Sequence, residues 1–276
     1  MWVATVRARH QLLDKPPVLD DPVALKIIGE PAASMLRAAP AVSEDVMSRT
    51  MRAPVVARSR IAEDALHDAV QRGVSQYVVL GAGLDTFAYR NPYPAARLQV
   101  FEVDHPATQA WKRGLLAQAQ IETPPSLHFV PIDFETQALA RALDDAGFDA
   151  TRPTFYSWLG VTMYLERAAV LATLQHIASA SPPGSEVVFD FILKPSALDL
   201  LKRSTLGALA IFFARLGEPW KAYFEPRALS AEMRRMGYAE VRYISREQMN
   251  EHCFKGRADR LKIRSLRLGG MMLARV

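Results

Sequence analysis

The residues best placed to do chemistry cluster at the ends of apolar runs. Gln76-Tyr-Val-Val-Leu80 breaks into Gly81-Ala82-Gly83-Leu84-Asp85-Thr86. Glycines at such a strand end let a ligand approach the backbone with no Cβ in the way, and the turn that follows offers unpaired N–H groups. A dinucleotide fingerprint would place a third glycine at position 86, where this chain has Thr, so a pyrophosphate fits poorly. A ligand with a ribose and no phosphate fits better, and S-adenosylmethionine is the common one. About twenty residues beyond Gly83, Glu102 and Asp104 project to one side of a second apolar run, where a carboxylate can accept both ribose hydroxyls. Pro106 closes that run and makes Asp104 the more terminal of the two. A third run ends in Asp133-Phe134, an acceptor for an exocyclic amine beside an aromatic cover. A fourth ends in Ser157-Trp158-Leu159-Gly160, followed by Tyr164, whose hydroxyl sits beside apolar surface. Helix capping is the competing role for Asp104 and Asp133, and core packing for Tyr164.

These positions need a parallel sheet beneath them. The pattern predicts a helix over 57–72 feeding a strand at 75–80, then strands at 98–103, 128–132, 154–159 and 186–191, with helices near 108–119, 135–146 and 166–180 between them. Strands this apolar have no wet face, so the expected fold is α/β, a doubly wound and mostly parallel Rossmann-like sheet. Between Pro195 and Pro226 the alternation stops in a stretch containing Leu198, Leu201, Leu206, Leu209, Phe212 and Phe213, read as an inserted cap over about 195–226. A helix at 229–236 and strands at 240–244 and 270–275 complete a single domain over 1–276, with an N-terminal helical cap over about 1–56.

The 276 residues are 50% hydrophobic and 23% charged, an ordinary balance for a soluble globular chain. One cysteine, Cys253, excludes an internal disulfide and any cysteine metal cluster, so no metal is expected and a cytoplasmic location fits. No segment reaches the roughly 20 apolar residues of a membrane span. The formal charge of +5 and pI of 9.4 are spread along the chain apart from Arg257, Arg260, Lys262, Arg264 and Arg267. A solvated basic face explains that cluster without a nucleic acid partner. A homo-oligomer is left open.

Together the pieces Gly81–Thr86 with Tyr89-Arg90, Phe101–Pro106 and Ser157–Leu165 resemble the leucine carboxyl methyltransferase family of S-adenosylmethionine-dependent O-methyltransferases. Asp21-Pro22, Ala57–Asp64, Gly217–Phe224 and Phe254–Asp259 are similar to further family segments. The resemblance implies a seven-stranded methyltransferase sheet with a helical cap. It implies that Arg58 pairs with the methionine carboxylate of the cofactor, Gly81 lies against its methionine part, Asp104 takes the ribose, and Asp133 with Phe134 takes the adenine. With their neighbours, the cofactor set is Arg58, Gly81, Ala82, Gly83, Asp85, Glu102, Asp104, Asp133, Phe134, Trp158 and Leu159. Tyr164, the catalytic candidate, would face the methyl or the acceptor. Apart from the resemblance, the apolar cap residues Phe212, Phe213, Trp220, Tyr223 and Phe224 point to a hydrophobic acceptor, with Phe213, Tyr223 and Phe224 as its contacts, and packing of the cap onto the sheet is their competing role. Leu159 departs from the family, many of whose members have a Glu there that meets the cofactor's amino group.

The implied activity is methyl transfer to a carboxylate or hydroxyl of a small, largely apolar acceptor of polyketide or aromatic type. A carboxylate, with an ordinary pKa near ~4, arrives ionised and needs no base; a hydroxyl does need one. The alternatives are a methyltransferase acting on a protein C-terminus or RNA, a nicotinamide oxidoreductase disfavoured by Thr86, and a cofactor-binding homologue without turnover.

Overall fold

The computed structural model of the protein describes residues 1–38, 46–133, 138–195, 207, 210, 211, 214, 215, 219–264 and 269–276, with backbone alone for 46–49. Strands β1 (Gln76–Leu80), β2 (Gln99–Asp104), β3 (Leu127–Pro131), β4 (Thr154–Trp158), β5 (Glu186–Ile192), β6 (Glu240–Ile244) and β7 (Gly269–Arg275) form one sheet in the order β3-β2-β1-β4-β5-β7-β6. The first five pair in parallel, and β7 runs antiparallel to both β5 and β6. The order reverses beside β1, so the carboxyl ends of β1 and β4 open on a crevice.

Strand alternation divides the core. Val78, Leu80, Tyr156, Trp158, Phe189 and Phe191 share one cluster with Leu143 of α6 (Leu139–Asp145), Val170 and Leu174 of α7 (Arg167–Ala180) and Met233 of α8 (Pro226–Met236). Tyr77, Val79, Phe155 and Val188 face the other way, onto Ala57, Ile61 and Leu66 of α4 (Val46–Gln71) and Met249 of α9 (Arg246–Phe254). Sheet residues with both faces covered explain the continuous apolar runs. The connecting helices start where the sequence provides a stop. Pro106 opens α5 (Pro106–Gln118), and α8 has Pro226 in its first turn beneath the Glu225 carboxylate, which accepts from the Arg227 and Ala228 N–H groups. Ser245 and Gln248 form a capping box on α9, a helix the apolar spacing does not predict because only Met249 and Phe254 of it are buried.

The expected N-terminal cap boundary at residue 56 falls inside α4, which continues through Pro54 as one helix of 26 residues. Ahead of it, α1 (Trp2–Leu13), α2 (Ala24–Ile27) and α3 (Glu30–Ala38) pack around Ala8, Ile27 and Leu84 beside the glycine loop. The buried Asp14 carboxylate fixes α1 to α4, accepting from Arg52 Nη2 at 3.0 Å and lying 2.7 Å from His10 Nδ1. The apolar cap residues expected over 198–213 lie outside the described residues. Residues 219–225 return beside β5, where Phe224 bridges to Leu193. Among the described residues no helix is long and apolar enough to cross a membrane.

Candidate active site

At the carboxyl end of β1 the chain turns through Gly81 (φ +67°) and Gly83 (φ +49°), backbone that L side chains rarely adopt. A Cβ on Gly81 would lie 2.5 Å from Val161 Cγ2, so the loop is closed against the segment after β4 as well as bent. Asp104 ends β2 beside it, with Oδ2 accepting the Gly83 N–H at 2.5 Å and Oδ1 the His105 N–H at 2.7 Å. Thr86, the residue that breaks the dinucleotide pattern, donates to the buried Asp21 carboxylate at 2.6 Å. Arg90 pairs with Glu63 of α4, which ties Asp21-Pro22, Tyr89-Arg90 and the Ala57–Asp64 piece into one assembly behind the loop. From α1, Arg7 donates to the Leu84 carbonyl at 2.6 Å and lies 3.4 Å from Asp85. Burial pushes the Asp85 carboxyl up, but Arg7, Lys112 and Arg90 outweigh it and hold it below the usual carboxylate range.

Two cavities adjoin at the ends of β1, β4 and β5. The first, about 290 Å³, is lined by residues 79–85, Thr108 and Trp111 of α5, Ser157, Leu159, Val161 and the start of α1. The second, about 160 Å³, is lined mainly by apolar groups: Met51, Pro54 and Val55 of α4, Met163, Tyr164, Phe191, Ile192, Trp220, Met249, Ile263 and Met271. Trp2, Val3, Arg58 and Gly160 belong to both. At this shared wall Arg58 Nη1 pairs with Asp190 Oδ2 at 2.9 Å, and Asp190 Oδ1 accepts the Gly160 N–H at 2.6 Å. Gly160 has φ +72°, and a Cβ there would meet Arg58 Nη2 at 2.5 Å, so the guanidinium rests on bare backbone.

The structure gathers Arg58, Gly81, Ala82, Gly83, Asp85 and Leu159 around the first cavity, with Asp104 bonded to its loop, and Tyr164 on the second. Asp133 follows β3, half-buried, and Phe134 and Phe213 lie outside the described residues. Other expected residues sit elsewhere. Glu102 points to the same side as Asp104 but is 1% exposed, with Oε2 taken by Lys112 Nζ at 2.6 Å. Its burial, which Lys112 only partly offsets, pushes its carboxyl up to about 7. Trp158 turns into the opposite core face by strand alternation, and its neighbour Ser157 lines the cavity instead. Phe224 stands behind the acceptor-side wall, edge-on to Phe191 with centroids 6.0 Å apart. Tyr223 packs against the core with its hydroxyl directed at the Trp220 carbonyl. Of that segment it is Trp220 that reaches the second cavity. In the basic stretch, Arg257 pairs with Asp259, and Arg267 lies outside the described residues.

Sequence reasoning missed Asp190, Arg7 and Trp111. For Asp190 a signal was present: it is the one acid inside the apolar run Val187–Ile192.

The family model for leucine carboxyl methyltransferase matches residues 1–178. A Bacillus subtilis (strain 168) protein named "Putative S-adenosyl-L-methionine-dependent methyltransferase YktD" is 32% identical over 94% of this chain and 91% of its own length. A crystal structure of a duf574 family protein from Streptomyces avermitilis is similar at TM-score 0.58 and 18% identity, covering 98% of this chain and 96% of that one. Magnesium protoporphyrin IX methyltransferase from Synechocystis PCC 6803 with bound SAH is similar at TM-score 0.50 and 11% identity, covering 84% and 88%. Identities this low speak to the fold alone, whereas the family match and the Bacillus relative speak to descent. The chain belongs to the leucine carboxyl methyltransferase family, whose chemistry is methyl transfer from S-adenosylmethionine.

Proposed function

We propose that this protein transfers the methyl group of S-adenosylmethionine to an oxygen, a carboxylate or hydroxyl, of a small and largely apolar acceptor. The observation that carries this reading is the pair of cavities sharing Trp2, Val3, Arg58 and Gly160 as a common wall. The residues present fit the cofactor in the first: a positive-φ glycine cradle that a Cβ would fill, a carboxylate at the end of β2, and a guanidinium at the opposite end. Asp104 would hold the ribose, Asp133 the adenine amine, Arg58 the amino-acid carboxylate, and Gly81 would lie under the methionine part.

When bound, the cofactor would supply an electrophilic methyl on a sulfonium, open to in-line attack by an acceptor oxygen with S-adenosylhomocysteine as the neutral leaving group. The protein's part is alignment and exclusion of water. Met51, Met163, Phe191 and Trp220 give the second cavity a largely apolar wall, which Tyr164 also lines. A volume of about 160 Å³ suits an acceptor moiety of one ring or a short branched chain, since a cavity of roughly 150 Å³ accommodates benzene. A carboxylate acceptor enters ionised, and cancelling its charge against the sulfonium favours the reaction in such a site without a base.

Calorimetric titration with S-adenosylhomocysteine and with NAD tests the cofactor. Micromolar binding of the first alone is expected, and binding of NAD alone would overturn the reading. A screen of one-ring and short-chain carboxylates and phenols for methyl uptake from labelled S-adenosylmethionine then identifies the acceptor. Uptake only by a protein C-terminus or RNA would refute the small-acceptor assignment.

A further inference from the structure

Arg58, in the wall shared by the two cavities, pairs with Asp190, which lines the second, each side chain 15% exposed, with bare Gly160 backbone beneath the guanidinium. Only one N–H of Arg58 is engaged by Asp190 at hydrogen-bond distance, and a guanidinium has five to give. The Asp190 carboxylate takes one bond on each oxygen, from Arg58 and from the Gly160 N–H, and two oxygens offer about four lone-pair sites. A cation and an anion held side by side in this way are complementary to a zwitterion. An α-amino acid laid against them puts its carboxylate on Arg58 and its ammonium on Asp190, so that all four charges alternate and none is buried alone.

We infer that Asp190 is the residue that receives the ammonium group of the cofactor's amino-acid portion, acting with Arg58 as a two-residue zwitterion reader. The inference rests on S-adenosylmethionine being the cofactor. It answers the placement of Leu159, an apolar side chain on the wall of the first cavity that itself offers the ammonium no acceptor. Asp190 is the residue after Phe189, which pairs with Trp158 in the neighbouring strand, so the acid sits one strand over from Leu159 and faces α4.

The test is calorimetric and needs no turnover. S-adenosylhomocysteine carries the zwitterion, its deamino analogue keeps only the carboxylate, and 5′-methylthioadenosine lacks the amino-acid portion altogether. Asp190→Asn should weaken S-adenosylhomocysteine by about 10- to 100-fold, the range for one charged hydrogen bond, and leave 5′-methylthioadenosine within about twofold. The deamino analogue should lose no affinity in Asp190→Asn, because the group that Asp190 reads is absent and Arg58 is left to its carboxylate. Equal weakening of S-adenosylhomocysteine and 5′-methylthioadenosine would make Asp190 a prop for the whole site and overturn the inference. Unchanged S-adenosylhomocysteine binding by Asp190→Asn would overturn it while leaving the cofactor assignment intact. No binding of S-adenosylhomocysteine by the unsubstituted chain would remove both. Should the variant not fold, the unsubstituted chain decides: equal affinity for S-adenosylhomocysteine and its deamino analogue refutes the ammonium contact.

Discussion

Replacing Gly81 with Ala tests the glycine loop at its tightest point, and the structure sets the size of the effect. Two costs add. At φ +67° an L residue pays about 1–2 kcal/mol for left-handed backbone. The new Cβ also lies 2.5 Å from Val161 Cγ2, against an ordinary carbon contact of about 3.5–4.0 Å. Relieving an overlap of that kind in packed surroundings costs about 1–3 kcal/mol. Gly81→Ala should therefore destabilise by about 2–5 kcal/mol, each kcal/mol lowering Tm by roughly 2–4 °C in a chain of this size class. Val161→Ala removes the methyl that the Cβ strikes, so in that background only the backbone cost should remain. The coupling between the two substitutions should be about 1–3 kcal/mol, beyond the ~0.5 kcal/mol expected of independent sites. Urea denaturation of the four proteins measures it, and titration with S-adenosylhomocysteine should show affinity lost in Gly81→Ala and partly regained in the double variant. An equal cost of Gly81→Ala in both backgrounds would refute the close approach, and a cost under about 0.5 kcal/mol would refute the strained turn as well.

Asp104→Asn should weaken S-adenosylhomocysteine and 5′-methylthioadenosine together by tenfold or more, because both carry the ribose, and calorimetry that shows either unchanged removes Asp104 from the ribose contact. Glu102 binds its proton more tightly in the folded chain than its ordinary value of 4.5 allows, up to about 7. The folded state therefore holds more protons than the unfolded one across that window, and stability falls as pH rises through it. Urea midpoints at about pH 5 and about pH 8 should show that fall, and Glu102→Gln should flatten it; an unaltered slope in the variant would place the titration elsewhere. Arg52→Met leaves the Asp14 carboxylate buried without its cation, at a cost of about 3–5 kcal/mol, and should release α1. Limited proteolysis would then cut within residues 2–13 far faster than in the unsubstituted chain, and equal cutting rates would mean that this pair does not dock the helix.

The fold was legible because one physical signal dominates it. Buried parallel strands are apolar runs, and Gly81, Pro106 and Pro226 punctuate the chain as turn and cap chemistry requires. Helix α9 escaped because its stability comes from end caps rather than from an apolar stripe. The extent of α4 escaped because Pro54 reads locally as a stop, while packing of Ala53 and Val56 on either side carries the helix through. At the site, strand ends pointed to Asp104, but direction decided the rest. Glu102 lies two residues earlier on the same side and is swallowed by Lys112, one turn and a half into α5; Trp158 lies at a strand end but on the wrong side. Asp190 was readable only as an anomaly within an apolar run, since its meaning depends on Arg58, 132 positions away in sequence.

The two cavity walls have different addresses in the chain. Nearly everything facing the first cavity comes from residues 1–161, inside the stretch that the family model matches, whereas much of the second comes from residues 190–271, largely beyond it. Relatives can therefore inherit the same donor machinery and exchange the acceptor compartment piecemeal, through Trp220, Met249, Ile263 or Met271, without disturbing a glycine. A hybrid carrying this chain's residues 1–180 and a relative's remaining sequence, with Asp190 kept, should hold the cofactor and adopt the relative's acceptor, which makes the boundary after α7 a natural joint for recombination.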